Sequence, residues 1–370
     1  MYLAWKEIRH SKGRFFFMMV IISLLAYLVF FVSGLASGLA KDNASSIENL
    51  GKHTFILQKD ADQRINRSAL SSETVSKLSS TFGKDKVTVL NLQSTTVNRV
   101  GKQQKIDLTL FNLDGSQSFR PSLTAGNEPS PQTTTDIIID QSIKRNGIHL
   151  YDTIKEQSSG LTFKVTGFTK NATFSHMPVA YLNQRQWHLF TEKRKVSGQK
   201  AVHAAVTTPF SLKKTRQLAD RIHLNQNISE VSADTVIRAL PGYKEEQSSL
   251  QMMISFLFII SVFILGIFFY MITAQKQAQF GILKAIGTST GYLVRSLIFQ
   301  TLITLFVSLG FSLLLTVLTV FVLPPGMPFS LSPNVIIERL LAFTGISLLS
   351  ILLSIWQIIK ISALSAIEGR

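Results

Sequence analysis

The sequence predicts an α-helical membrane protein with four transmembrane helices and a mixed α+β extracytoplasmic domain between helices 1 and 2. Three observations carry that prediction. Residues 15–40, 248–274 and 340–359 are uncharged runs, and 296–337 is an uncharged stretch of 42 residues that holds a third helix to about 323. A spanning helix needs about 20 apolar residues, so each run is long enough to cross a bilayer. Between the first two lies a hydrophilic region, 41–247, long enough for one or two folded lobes. Finally, the short segments 1–14, 276–295 and 360–370 carry nine Lys/Arg against two acids, whereas the turn 324–334 carries no charge. Basic short loops mark the cytoplasmic face. Both termini are therefore expected inside, in a multi-pass protein of the cell (plasma) membrane, with 41–247 outside.

Composition excludes several classes. The 370 residues are 46% hydrophobic and 16% charged, and none is cysteine, so no disulfide framework or thiolate metal site is possible. The net charge of +16 divides into +9 within 41–247 and +7 on the remainder. The basic residues are scattered without aromatic interleaving, and no nucleic-acid motif accompanies them, so nucleic acid is not an expected partner. Contact with anionic lipid or an anionic substrate is the expected use of the excess. No phosphate-binding loop, zinc-protease motif or nucleophile elbow occurs, and no metal or catalytic site is expected.

Taken in order, residues 1–14 (MYLAWKEIRHSKGR) mix aromatic and basic side chains and predict an interfacial amphipathic helix at the inner face. Residues 15–40 predict transmembrane helix 1. At 26 residues the run exceeds the apolar core of a cleaved signal peptide, so it reads as an anchor, with cleavage near Ala36–Gly38 as the alternative. Gly34 and Gly38 share one helix face, a surface for close helix approach either in a dimer or within one subunit.

In 41–247 a helical pattern through Ile47 and Leu50 predicts a stalk, and Val75 and Leu78 continue helical spacing. Alternation then predicts strands at 87–100, 105–113, 161–169, 179–183 and 201–208, with a helix across 212–222. Residues 115–135, rich in Ser, Thr, Pro and Gly, read as a loop, and Asp136–Asp140 leads into a helix containing Ile143. Interleaved strands and helices indicate an α+β domain. Residues 248–274 predict helix 2, 275–295 a cytoplasmic loop, 296–323 helix 3, 324–339 an outer turn broken by prolines, 340–359 helix 4, and 360–370 a cytoplasmic tail.

The loop carries the most information. Phe280 to Gly287 (FGILKAIG) predicts a brief amphipathic helix whose Phe280, Ile282, Leu283 and Ile286 need a groove to hide in. A plain connector lying in the membrane interface is the alternative.

FGILKAIGTSTGYLVRS resembles the coupling loop of the MacB/FtsX-type (type VII) ABC transporter permeases, as do the opening MYLAWKEIRHSKGRF and DIIIDQSIKRNGIHLYDTIK…LTFKVTGF. Residues 31–50, 243–258 and 268–287 are similar to the haem-efflux branch of Gram-positive bacteria. The resemblance implies a homodimeric, non-enzymatic permease subunit with no cofactor of its own. It would export haem using ATP bound and hydrolysed by a separate ABC ATPase dimer. It places the ATPase-coupling role on Phe280, Ile282, Leu283, Lys284 and Ile286. Glu48 matches the family's acidic position after helix 1 and is implied as a haem ligand.

Helical rise adds to this. Glu48 lies nine residues past Leu39 and Tyr243 nine before Met252, about 14 Å in each case, so both reach one level above the outer leaflet if both segments are helical. Tyr243 is thus a second haem-binding candidate. Met252 is a soft third candidate on a lower tier, and Lys52 and Lys244 flank the upper tier as partners for propionates. Peptide or antibiotic efflux, FtsX-like signalling without transport, and a non-ABC membrane sensor are the alternatives.

Overall fold

The computed structural model describes residues 12–51, 53–115, 121–130, 132–194, 202–222, 227–324 and 327–360. The expected interfacial helix thus falls outside the described residues up to position 11, as does the tail beyond 360. The chain divides into two compact units, Met1–Gly38 with Ser248–Arg370, and Leu39–Gln247.

Helix α1 (Lys12–Glu48) is continuous, so helical structure runs eight residues past the uncharged segment that ends at 40. The polar extension is held by side chains on the α+β unit. Thr173 Oγ1 donates to Lys41 O (3.1 Å), Thr173 N donates to Ser45 Oγ (3.0 Å), and Ser175 N donates to Asn43 O (2.8 Å).

The α+β unit contains strands β1 (Thr54–Gln58), β2 (Leu70–Ser71), β3 (Thr88–Arg99), β4 (Lys105–Gly115), β5 (Leu123–Gly126), β6 (Asp136–Asp140) and β7 (Thr153–Glu156). It continues through β8 (Thr162–Thr169), β9 (Thr173–Phe174), β10 (Met177–Leu182), β11 (Val202–His203), β12 (Ala205–Thr208) and β13 (Ile228–Ser232). Its helices are α2 (Ser72–Phe82), α3 (Gln184–Lys193), α4 (Leu212–Arg221) and α5 (Ala233–Arg238). The main sheet runs β13-β1-β12-β3-β4-β10-β6-β8-β5, with β7 bridging β3 and β8. Its parallel pairs are β4–β10 and β6–β8. The long antiparallel β3–β4 ladder, from Thr88↔Gly115 to Asn98↔Lys105, is the spine.

Two expectations are corrected here and one is made more specific. The Ser/Thr/Pro/Gly loop contains β5, which pairs with β8 through a register shift. At four residues, LTAG is too short to establish a period, and the strand is held by its neighbour. The helix expected after Asp140 is present as a 3-10 helix (Gln141–Asn146) containing Ile143; the Asp140 carboxylate caps Ser142 N at 2.8 Å, and Gly147 ends it at φ 74°. The strand expected over 201–208 is broken at Ala204, whose N–H donates to Leu90 O.

In the helical unit α6 (Tyr243–Gln275) precedes the short α7 (Gln277–Ala285), and α8 (Thr290–Val322) precedes α9 (Pro333–Lys360). Together with α1 these supply four helices long and apolar enough to cross a membrane. The expected turn 324–339 is half helix. Pro333 occupies the first helical position, where its missing N–H costs nothing, and Ser332 accepts from Val335 N and Ile336 N.

The interior of this unit combines an apolar core with small polar side chains, while its surface is apolar. Ser296, Gln300, Thr301, Thr304, Ser308, Ser312 and Thr316 share the buried face of α8 with Leu293, Leu297, Leu305 and Leu309, and Phe306, Phe311, Leu314, Val317 and Phe321 face outward. Thr301, Thr304, Ser308 and Thr316 donate to the carbonyl four residues back, which satisfies their hydroxyls without water. Ser23 Oγ donates to Ser308 O, and Tyr27 pairs with Thr319 at 3.0 Å, tying α1 to α8. Small polar residues at helix contacts, beside a packed apolar core, and large apolar residues on the outside suit helices for which lipid is the solvent.

Of the two readings of Gly34 and Gly38, the structure realises packing within one subunit. A Cβ on Gly34 would stand 2.3 Å from the Phe329 ring, and one on Gly38 2.2 Å from Pro328 O. The 328–329 segment fills that face, and Ser330 N donates to Gly34 O at 2.9 Å.

Candidate functional site

Glu48 is the last residue of α1, and the following turn closes through Gly51 N to Glu48 O at 2.9 Å. Tyr243 opens α6, positioned by its N–H bond to Leu240 O. The two ends meet because one core holds both. Ala44, Ile47 and Leu50 from the α1 end pack with Val236, Ile237 and Leu240 from the approach to α6, and Tyr243 lies half-buried against them. Glu48 itself is exposed.

Both residues lie beyond the apolar segments, and their electrostatics are coupled. Desolvation raises the Glu48 carboxyl above its ordinary range, with Lys41 opposing and Asp234 reinforcing. Desolvation also raises the Tyr243 phenol, as do Glu48, Asp234 and Glu246, against Arg238. Glu48 and Tyr243 are thus within electrostatic reach of each other in an acidic cluster. Asp234 and Glu246 were not singled out in the sequence. Asp234 sits in the first turn of α5 behind the Ser232 cap, a local signal that points to a helix start only.

Met252 does not join them. It lies on α6 nine residues after Tyr243, two and a half turns on, which puts the two side chains on opposite faces of that helix. In the helical unit it is 58% exposed, with Met253 beside it also exposed. Lys244 is exposed, and Lys52 lies outside the described residues.

A cleft of about 230 Å³ adjoins the α1 end, lined by Ser46, Asn49, Lys170 and Tyr181 among others. Burial pushes the Tyr181 phenol up, and Asp140 adds to it. The cleft is smaller than the roughly 300–1,000 Å³ of drug-sized sites, so it does not enclose a macrocycle.

The loop between α6 and α8 is a built corner. Thr288 N bonds Leu283 O (2.9 Å) and Gly287 N bonds Lys284 O (3.0 Å), with Gly287 at φ 97°. This is the Schellman ending, which requires a residue tolerant of positive φ. Ser289 then caps α8 by accepting from Tyr292 N. The structure divides the five expected coupling residues. Phe280 is 4% exposed and belongs to the core of the helical unit, and Leu283 packs against that core. Lys284 Nζ donates to Ile358 O at 2.7 Å, holding the end of α9. Ile282 and Ile286, 55% and 74% exposed, remain on the surface one turn apart, flanked by exposed Ala278 and Ala285. Phe280 is therefore corrected from surface knob to core anchor, because on so short a helix its ring reaches the bundle interior.

Comparison with known proteins places the chain in a family. The FtsX-like permease C-terminal domain matches residues 252–363. Over its full length the chain is 30% identical to the putative hemin transport system permease protein HrtB of Staphylococcus epidermidis, covering 99% of that protein. It is 29% identical to the protein of the same description from Staphylococcus haemolyticus, again covering 99%. The solved periplasmic region of MacB from Actinobacillus actinomycetemcomitans is similar over 50% of this chain and 91% of that one, at 15% identity and a TM-score of 0.37. The chain belongs to the FtsX-like permeases of type VII ABC transporters, within the HrtB family.

Proposed function

We propose that this permease exports haem from the membrane, driven by ATP that a separate ABC ATPase dimer hydrolyses. The observation that carries the substrate is the full-length similarity to two permeases described as transporting hemin. The geometry supports it: an oxygen-donor pair, Glu48 and Tyr243, stands in an acidic cluster at the end of the α+β unit. Tyrosinate is an established haem-iron ligand, and oxygen donors suit ferric iron. Desolvation first, and then the field of Glu48, Asp234 and Glu246, make Tyr243 hard to ionise, and that negative field favours a cationic iron centre, which in turn would lower the phenol pKa. Met252 serves the lower tier, as an exposed polarizable surface for the porphyrin face.

The permease works as a homodimer, with both termini and the 276–289 corner in the cytoplasm and the α+β unit outside; the basic short loops support that orientation. The Ile282–Ile286 face is where the ATPase docks, since an exposed apolar pair on a cytoplasmic corner needs a partner.

The test is haem tolerance in a strain lacking this gene. Haem should accumulate and growth should fail at haem levels the parent tolerates, with rescue by the wild-type gene and reduced rescue by Glu48→Ala or Tyr243→Phe. Normal haem tolerance with altered cell-wall cleavage would replace this reading with FtsX-like signalling. Normal haem tolerance with sensitivity to a peptide antibiotic would replace it with peptide efflux.

A further inference from the structure

The β9–β10 connection is a two-residue turn, Ser175–His176, with both residues at positive φ (49° and 62°). Such turns suit the twist of a hairpin but favour Asn-Gly, because side-chain-bearing residues are strained there. What holds this one is α1. Ser45 Oγ pairs with Thr173 Oγ1 at 2.8 Å, Thr173 Oγ1 reaches Lys41 O, and Ser175 N reaches Asn43 O. Ala172 and Phe174 are buried in the core beneath.

The strained His176 ring projects between the two stalk helices. Its Nδ1 lies 3.0 Å from Asp42 Oδ2 on α1, and its Nε2 lies 3.2 Å from Asn43 Nδ2 and 3.7 Å from Glu246 Oε2 on α6. Among the described residues, Asp42 and Glu246 are the charged groups that pair with it. These contacts all lie within the α+β unit, which includes the first turn of α6.

We infer that His176 is a proton-operated clasp between the two stalks. In the neutral ring Nδ1–H donates to Asp42 while Nε2 accepts from the Asn43 amide, so the ring is tied to α1 alone. In the imidazolium both nitrogens donate, and Nε2–H turns to Glu246, linking α1 and α6 through one residue. The Asn43 carboxamide then presents its oxygen to the ring; in the neutral arrangement Asn43 Oδ1 is buried without a partner. Histidine is the side chain whose charge changes between pH 5 and 8. The link to α6 is therefore present when the ring is protonated and lost when it is neutral. Acid on the side that bathes the α+β unit closes the clasp, and neutral to alkaline conditions free the stalks to move separately.

The test is hydrogen–deuterium exchange of the full chain in nanodiscs between pD 5.5 and 8, corrected for intrinsic rates. The readouts are peptides covering 173–178 and 243–248, with the β6 segment as an internal reference. In wild type, exchange at both peptides should rise about two- to fivefold from the acid to the alkaline end, the range of a partly exposed ion pair. His176→Gln should flatten both profiles. Glu246→Gln, which keeps the ring and the hairpin, should flatten the 173–178 profile too. A wild type without pH dependence, or a His176→Gln profile that matches wild type, overturns the inference. So does a Glu246→Gln profile that keeps the full wild-type slope.

Discussion

Glu156 closes β7, is fully buried, and carries a charge. Burial alone raises its pKa, but five hydrogen bonds outweigh that. The Ser159 and Thr95 hydroxyls donate to it, as do Ser158 N (2.9 Å), Ser158 Oγ (2.8 Å) and Ser159 N (2.6 Å). Its carboxyl is held down from 4.5 to about 2. At about 1.4 kcal/mol per pH unit, that difference is worth about 3 kcal/mol at neutral pH. A depressed carboxyl stabilises the fold above its unfolded value, and the contribution is lost as pH falls from 4.5 toward 2. Glu156→Gln keeps the shape but turns an NH₂ toward groups that donate. The expected loss is about 2–3 kcal/mol, or roughly 5–12 °C in Tm for a unit of this size. Trp187, half-buried beside Phe190 at 5.6 Å, reports unfolding of the α+β unit by fluorescence once Trp5 and Trp356 are replaced by Phe. Wild type should lose its advantage over the variant progressively as pH is lowered from 4.5 toward 2. A variant within about 0.5 kcal/mol of wild type at pH 7, or a gap that ignores pH, would refute the reasoning.

Two further substitutions probe the helical unit. Gly38→Ala puts a Cβ on the Pro328 carbonyl, which is backbone and cannot swing away, so a loss of about 1–3 kcal/mol is expected in thermal unfolding of the full chain; an unchanged Tm would mean that the 328–329 segment does not pack there. Ile286→Asp, alone or with Ile282→Asp, should leave folding intact, because both side chains are exposed, and should abolish co-purification of the ATPase; retained co-purification would move the docking face elsewhere.

The sequence revealed what a single period controls. The four helices were legible because 20 or more apolar residues without a charge have few other uses. Strands β3, β4 and β8 were legible because apolar and polar residues alternate along part of each, as in Leu90-Asn91-Leu92-Gln93 and Ile106-Asp107-Leu108-Thr109, even where both faces are buried. Strand β1 was missed for the opposite reason. TFILQ is buried at four of its five positions, and a run buried on both faces has no alternation to read. Strand β5 and the start of α9 were missed because pairing and capping decided them. On α7, nine residues gave too little phase to separate Phe280, which turns inward, from Ile282 and Ile286, which do not.

At the stalk, the family resemblance singled out Glu48, and helical rise from the adjoining apolar runs put Tyr243 at the same expected height. His176 and Asp42 are 134 residues apart in sequence and meet only through a strained turn that no pattern announces.

The central claim is that the Glu48–Tyr243 cluster binds haem. A haem titration of the purified permease by absorbance tests it most directly, with wild type beside Glu48→Ala and Tyr243→Ala. The account predicts a saturable Soret shift in wild type, weakened by either substitution. Weak binding that is indifferent to both substitutions would contradict it, leaving the permease fold in place and its substrate to be sought elsewhere.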